Sequence, residues 1–369
     1  MNTPNSKNRL LIAGGGTGGH ILAGVAVADA WNERLGNQAQ ILFVGARGGL
    51  EEKLVPKAGY CLKTLKVGSL NRVSLGRKLK TFVQLPLALF YSAYLLLKWK
   101  PDFVLGVGGY SSGPLVLMAR LLCFLRLIQV KVAILEQNSI PGMTNRILSR
   151  FAHLIFTSFP HMEKAFPGSN LIQSGSPIRA SMKRMPPATR DPFTVFIFGG
   201  SQGAKGVNSL VLSALPYLSD LKNKIRFVHQ TGEADYERVL EGHRKNETQS
   251  RVEKFIYDMP SVYQESSLLI CRTGSSTLAE VAAIGRAAIL IPLPTASDNH
   301  QELNARVYSE ANAALCLNQQ KATGEDLAKA IRELLVNDGR LRKMEESVTQ
   351  FYFPNAAQNI VQGLFNSGH

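Results

Sequence analysis

Residues 14–20 read Gly-Gly-Gly-Thr-Gly-Gly-His, between a short apolar run at Leu10–Ala13 and a helical pattern over Ile21–Leu35. Five glycines in seven residues at a strand-to-helix junction require a sharp turn or a close approach to the backbone, and glycine permits both. A helix start also presents unpaired N–H groups and partial positive charge, so the natural guest is a phosphate or another anion. The run ends in His20, which a plain phosphate cradle does not need. It either caps the helix start or serves as a general base.

A second junction echoes the first. Phe193–Phe198 leads into Gly199-Gly200-Ser201-Gln202-Gly203-Ala204 and another helical pattern. Apolar runs at 10–13, 40–44, 103–106, 132–135 and 153–156 alternate with helical segments. Runs at 194–198, 225–229, 252–256, 268–271 and 288–291 do the same. Strands separated by helices indicate parallel βαβ units. The expected fold is α/β, with two doubly wound, Rossmann-like domains whose parallel sheets face across a cleft. The expected boundaries are 1–178 for the first domain and 179–352 for the second, with a linker near Gly175–Arg179. Arg332–Thr349 reads as one charged amphipathic helix and Asn355–Phe365 as a last helix. Segment 353–369 is a candidate to join the first domain.

The net charge of +15 is unevenly distributed. Residues 1–178 hold 20 Lys and Arg against 7 Asp and Glu, a net of +13, whereas 179–369 hold 22 against 20. Lys53–Pro101 contains ten basic residues and no acidic one. Such a field implies an anionic partner. Within it lies Phe82–Leu97, which is shorter than the roughly 20 apolar residues a spanning helix needs and contains Gln84 and Pro86. Pro114–Ile128 is a second apolar run, interrupted by Arg120 and Arg126. These segments read as half-buried helices, or as an apolar patch with a basic rim on an anionic bilayer. Nucleic acid is not expected, since no nucleic-acid motif accompanies the charge. The cysteines Cys61, Cys123, Cys271 and Cys316 are far apart, which suits a reducing cytoplasm.

Gly14, Gly16 and Gly19 formally satisfy a dinucleotide fingerprint. That reading requires an acidic residue at the end of the next strand to hold the ribose. Here the strand ends Val44-Gly45-Ala46-Arg47, which disfavours NAD and leaves only a narrow opening for NADP. Cys271–Glu280 joins a buried strand to a helix and offers glycine and small hydroxyls suited to a diphosphate. Thr277 and Glu280 are spaced as a capping box; alternatively, Glu280 accepts from a ribose diol. Glu136–Asn138, Gly106–Gly113 and Asp298–Gln301 occupy carboxyl strand ends, where open α/β sheets bind ligands. No Asp-x-Asp pair suggests a metal-held diphosphate.

Taken in order, Gly14–His20, Gly108–Gly113, Glu136–Asn138, Gly199–Ala204 and Cys271–Glu280 resemble the MurG family of bacterial N-acetylglucosaminyltransferases over about residues 9–360. The resemblance implies a GT-B type fold and an inverting, metal-independent hexosyl transfer with no cofactor. The donor would be UDP-N-acetylglucosamine. The acceptor would be the C4 hydroxyl of an N-acetylmuramyl-pentapeptide on undecaprenyl diphosphate. It further implies a peripheral location at the cytoplasmic face of the inner membrane, on an anionic membrane surface and beside cell-wall assembly proteins. By motif, Thr17, Gly18 and Gly19 would lie at phosphates and Asn138 near the donor sugar. Arg179, Ser201, Ile256, Ser275, Ser276, Thr277, Leu278, Ala279 and Glu280 would hold UDP, and Gln301 the sugar hydroxyls. Gly15, Gly16, Gly109 and Tyr110 would meet the acceptor. His20 is the first candidate base and Glu136 the second. Some members carry two glutamines where this chain has His300-Gln301.

Overall fold

A computed structural model describes residues 8–67, 75–186, 188–200 and 202–366. The chain divides into two compact units, Met1–Arg179 with Asn355–His369, and Ala180–Pro354.

The first unit holds seven strands: β1 (Arg9–Gly14), β2 (Gln40–Ala46), β3 (Leu62–Leu65), β4 (Phe103–Gly108), β5 (Lys131–Glu136), β6 (Leu154–Thr157) and β7 (Leu171–Gln173). They form one parallel sheet in the order β3-β2-β1-β4-β5-β6-β7. Its helices are α1 (Gly18–Leu35), α2 (Glu51–Lys57), α3 (Leu75–Trp99), α4 (Ser112–Phe124) and α5 (Met143–Leu148). The central strands are buried on both faces, so they appear in sequence as unbroken apolar runs rather than alternating ones. Helix α1 begins at Gly18, three residues before its apolar pattern, because Thr17 caps it by accepting from the His20 N–H at 3.4 Å.

The second unit adds β8 (Phe193–Phe198), β9 (Ile225–Gln230), β10 (Gln249–Glu253), β11 (Leu268–Cys271), β12 (Ala288–Leu290) and β13 (Leu315–Cys316). Their order is β10-β9-β8-β11-β12-β13, again all parallel. Its helices are α6 (Lys205–Ala214), α7 (Tyr236–Lys245), α8 (Met259–Glu265), α9 (Ser275–Ile284), α10 (His300–Glu310), α11 (Gly324–Val336) and α12 (Asp338–Ser347). The last helix, α13 (Ala356–Asn366), packs on α1 in the first unit. There Phe365 stacks on Trp31 at 5.1 Å between ring centroids, and Trp31 meets Phe103 edge-on at 5.4 Å.

Three expectations are corrected. The strand expected at 252–256 runs from 249 to 253, because β10 is an edge strand held only by β9. The helix expected over 332–349 is two helices, broken at Asn337, whose side chain caps α12 by accepting from the Arg340 N–H at 2.9 Å. Thr277 and Glu280 do not form a capping box: α9 starts at Ser275 with Gly274 as its N-cap, so Thr277 already lies within the helix.

In both sheets the strand order reverses beside the first strand, between β1 and β4 and between β8 and β11. Loops leaving two such strands part to opposite faces and open a crevice at their carboxyl ends, where doubly wound sheets bind ligands. The two glycine-rich loops follow β1 and β8, so each lies at its sheet's crevice.

Candidate active site

In the first unit the loops after β1 and β4 are in direct contact. The Gly15 N–H donates to the Gly108 carbonyl at 3.3 Å. Gly109, at φ +81°, lies so close that a Cβ there would sit 2.2 Å from the Gly15 oxygen. Gly108, at φ +104°, faces the His20 ring, whose Nε2 would be 2.9 Å from an added Cβ. A side chain at Gly109 would push the two loops apart, and one at Gly108 would displace the His20 ring. Tyr110 lies over Gly16. Burial and then the nearby Glu51 charge push its hydroxyl up from the usual phenol range, so it remains a neutral donor.

The His20 ring is half-buried, and its Nδ1 lies 3.3 Å from the Gly15 carbonyl. A carbonyl can only accept, so Nδ1 carries the proton in this contact and Nε2 of the neutral ring is the basic nitrogen. The N–H groups of Gly18 and Gly19 fall in the first turn of α1, which carries no acidic side chain.

Glu136, expected as a second candidate base, is engaged in its own loop. It is buried, and its Oε1 accepts from the main-chain and side-chain nitrogens of Asn138 at 2.9 and 3.2 Å. Its Oε2 accepts from the Gly142 N–H at 3.1 Å and Asn145 Nδ2 at 2.9 Å. Burial raises its pKa while these donors oppose the rise. Four donors occupy both oxygens, which suits a carboxylate that shapes residues 136–145 rather than one that takes a substrate proton. The Asn138 side chain is part of that loop structure.

The second unit holds a pocket of about 630 Å³ at the carboxyl ends of its central strands. Gly199, Lys205, Arg272, Thr277, Gln301 and Gln319 are among its walls. The volume is within the range for small-molecule sites, about 300–1,000 Å³. Gln301 presents its Oε1 to the Leu293 N–H at 3.0 Å and the Thr273 N–H at 3.4 Å, so its amide nitrogen is the group it offers the pocket. Gln230 bridges two loops: its Nε2 donates to the Gly200 carbonyl at 3.0 Å and its Oε1 accepts from the Ile256 N–H at 2.8 Å. The Ile256 side chain is buried, which leaves its carbonyl as the polar group available to a ligand.

Arg272 is the strongest charge at this pocket. Its guanidinium is nearly buried and donates to the Ile291 and Pro292 carbonyls, both at 3.0 Å, and to Gln319 Oε1 at 2.5 Å. Burial lowers its pKa to about 10, so it keeps its charge at neutral pH. No carboxylate pairs with it among the described residues. A buried cation with only neutral acceptors can also receive an anionic guest.

Of the expected nucleotide residues, Thr277 and Gln301 line this pocket. The Leu278 and Ala279 side chains point into the core and can offer a ligand only main-chain atoms. Ser275 and Ser276 form the first turn of α9. Glu280 accepts from the Tyr263 hydroxyl at 3.1 Å. Arg179 is exposed and belongs to the first unit. Ser201 lies outside the described residues. Sequence reading did not single out Arg272, Lys205 or Gln319 as site residues. An arginine directly after a buried strand, at Cys271-Arg272, was the available signal.

Two doubly wound parallel sheets, each with a glycine-rich loop at its crevice, make a GT-B type fold, and the family matches make the chain a glycosyltransferase. The Glycosyltransferase family 28 N-terminal domain matches residues 10–157, and the Glycosyltransferase family 28 C-terminal domain matches residues 194–360. The chain belongs to the MurG family, whose members are named UDP-N-acetylglucosamine–N-acetylmuramyl-(pentapeptide) pyrophosphoryl-undecaprenol N-acetylglucosamine transferase. It is 41% identical to the Anaeromyxobacter sp. (strain Fw109-5) member over 95% of this chain and 91% of that one. It is 42% identical to the Syntrophus aciditrophicus member over 96% and 97%. The crystal structure of Acinetobacter baumannii MurG is similar at 30% identity and a TM-score of 0.78, covering 97% of this chain and 99% of that one.

Proposed function

We propose that this chain transfers N-acetylglucosamine from UDP-N-acetylglucosamine to the C4 hydroxyl of the muramyl sugar of undecaprenyl-diphosphate-linked N-acetylmuramyl-pentapeptide. The buried Arg272 guanidinium in the pocket of the second unit carries this reading, together with kinship over nearly the whole chain. The donor diphosphate lies against Arg272, Lys205 and the N-terminus of α9. These groups offset the negative charge that develops on UDP as the sugar–phosphate bond breaks. Thr277 and Gln301 add hydrogen bonds to the donor, with Glu280 on the ribose. His20 Nε2 takes the proton from the acceptor hydroxyl, which attacks the anomeric carbon from the face opposite UDP and inverts the configuration. Gly15, Gly16, Gly109 and Tyr110 receive the acceptor. Purified protein mixed with UDP-N-acetylglucosamine and a short-chain acceptor analogue is expected to release UDP only when the acceptor is present. Absence of acceptor-dependent release, with tight NADPH binding instead, overturns the reading.

The same proposal locates the enzyme at an anionic membrane surface on its cytoplasmic face. No helix among the described residues is long and apolar enough to cross a membrane. Helix α3 buries Ala88, Leu95 and Leu96 yet exposes Leu87, Phe90, Tyr94 and Leu97, with Phe90 75% exposed. Helix α4 packs against α3 and ends at Phe124, which is 82% exposed, followed by exposed Leu125 and Leu127. Lys98, Arg120 and Arg126 lie among these apolar residues in sequence. Outward aromatics beside basic groups suit the interface of an anionic bilayer. Co-sedimentation with phosphatidylglycerol vesicles is expected to weaken as salt is added. Phe90→Asp and Phe124→Asp should each reduce it by roughly tenfold or more, from the loss of about 1.5–3 kcal/mol of apolar burial. Activity on a short-chain soluble acceptor should persist. Wild-type binding by both variants removes this surface from the docking face.

A further inference from the structure

Beneath the first glycine-rich loop lies a carboxylate that the reaction above does not use. Glu51, the first residue of α2, is fully buried. Gly15, Gly45 and Gly49 close around it. A Cβ on Gly15 would stand 2.0 Å from its Oε1, one on Gly49 2.2 Å from its Oε2, and one on Gly45 2.4 Å from its Cγ. Gly15 from the loop after β1, and Gly45 and Gly49 from the stretch leading into α2, thus make room for one side chain. Its Oε1 accepts from the Ala46 N–H at 2.7 Å and its Oε2 from the Gly16 N–H at 3.4 Å. No basic side chain pairs with it among the described residues. A buried carboxylate held only by main-chain donors is costly to maintain.

The Gly16 N–H belongs to the same peptide group as the Gly15 carbonyl, and that carbonyl accepts from His20 Nδ1 at 3.3 Å. The connection therefore runs from the Glu51 carboxylate, through one peptide plane, to the imidazole. A hydrogen bond to the N–H end of a peptide polarises it and makes its oxygen a stronger acceptor. A carbonyl or carboxylate on one histidine nitrogen fixes the tautomer and raises the basicity of the other. Both bonds are at the long end of the hydrogen-bond range, as catalytic hydrogen bonds often are before substrate binding tightens them.

We propose that Glu51 is a positioning residue that acts on His20 through the Gly15–Gly16 peptide, holding the ring with Nδ1 protonated and Nε2 basic. The proposal rests on the reading of His20 as the base. It also changes the meaning of the loop: its inner side is already filled by an anion of the protein, so any diphosphate would meet only the outer N–H groups of Gly18 and Gly19.

Glu51→Gln keeps the volume but removes the charge and one acceptor. Its kcat is expected to fall roughly tenfold or more while the KM for UDP-N-acetylglucosamine stays within about twofold. The decisive readout is nitrogen NMR of histidine-labelled protein without substrate, with the His20 signal assigned by its loss in His20→Gln. Wild-type His20 should be in the Nδ1–H form, and Glu51→Gln should shift it toward the Nε2–H form. A wild-type ring in the Nε2–H form, or a ratio unchanged by Glu51→Gln, overturns the proposal. If Glu51→Gln does not fold, the wild-type tautomer alone decides. Failure of the base reading looks different: His20→Ala would keep its rate while the tautomer result stood.

Discussion

Replacing His20 by alanine lowers kcat by about 10² to 10⁴, the usual contribution of a positioned general base. The KM for UDP-N-acetylglucosamine should stay within about twofold, because the groups proposed to hold the donor diphosphate belong to the second unit. Steady-state assays at saturating short-chain acceptor measure both numbers. The loop itself survives the change: the Thr17 cap accepts from the main-chain N–H of residue 20, which alanine keeps. A near-wild-type rate would transfer the role elsewhere. Glu136 is a poor heir, because Asn138, Gly142 and Asn145 already occupy both of its oxygens.

The second large effect is expected at Arg272. Arg272→Ala should raise the Kd for UDP roughly 10- to 100-fold by calorimetry, since a hydrogen bond to a charged group contributes about 1.5–3 kcal/mol. Arg272→Lys should recover only part of the loss. An ammonium cannot span the Ile291 and Pro292 carbonyls, the Gln319 amide and a phosphate as a planar fork does. Unchanged UDP affinity in Arg272→Ala would reduce the guanidinium to a strut for residues 291–292.

Much of the architecture is legible in the chain because its central strands are buried on both faces. Val132–Leu135 and Leu268–Cys271 are unbroken apolar runs for that reason, and runs of this kind alternate with helices along both halves. The edges are less legible. β3, β7 and β13 are short and only partly buried, so they carry little apolar signal. At β10 the apolar Phe255 and Ile256 drew the expectation past the strand, although they belong to the loop fastened by Gln230. Spacing misled at Thr277 and Glu280, because a cap depends on where the chain enters the helix, and Gly274 sets that point. At the site, His20 stands out as the residue that ends the first glycine-rich run, and Gln301 through the Asp298–Gln301 segment and the family resemblance. Glu51 does not. Gly45 and Gly49 lie just ahead of it, but its burial also depends on the distant Gly15 closing over it, and nothing in Glu51-Glu52-Lys53 records that approach.

The return of α13 to the first unit has a consequence for synthesis. Ile360, Val361 and Leu364 belong to the same core as Leu10, Trp31 and Phe156, and Gly363 lies against the Phe156 ring. The unit that leaves the ribosome first therefore lacks one wall of its core until α13 has emerged. The later unit, contained within Ala180–Pro354, has its full sequence sooner. The order in which the two units can complete their cores is thus the reverse of ordinary vectorial folding, in which the N-terminal domain finishes first. A chain truncated before Ala356 would have the whole second unit but a first unit that lacks this wall of its core.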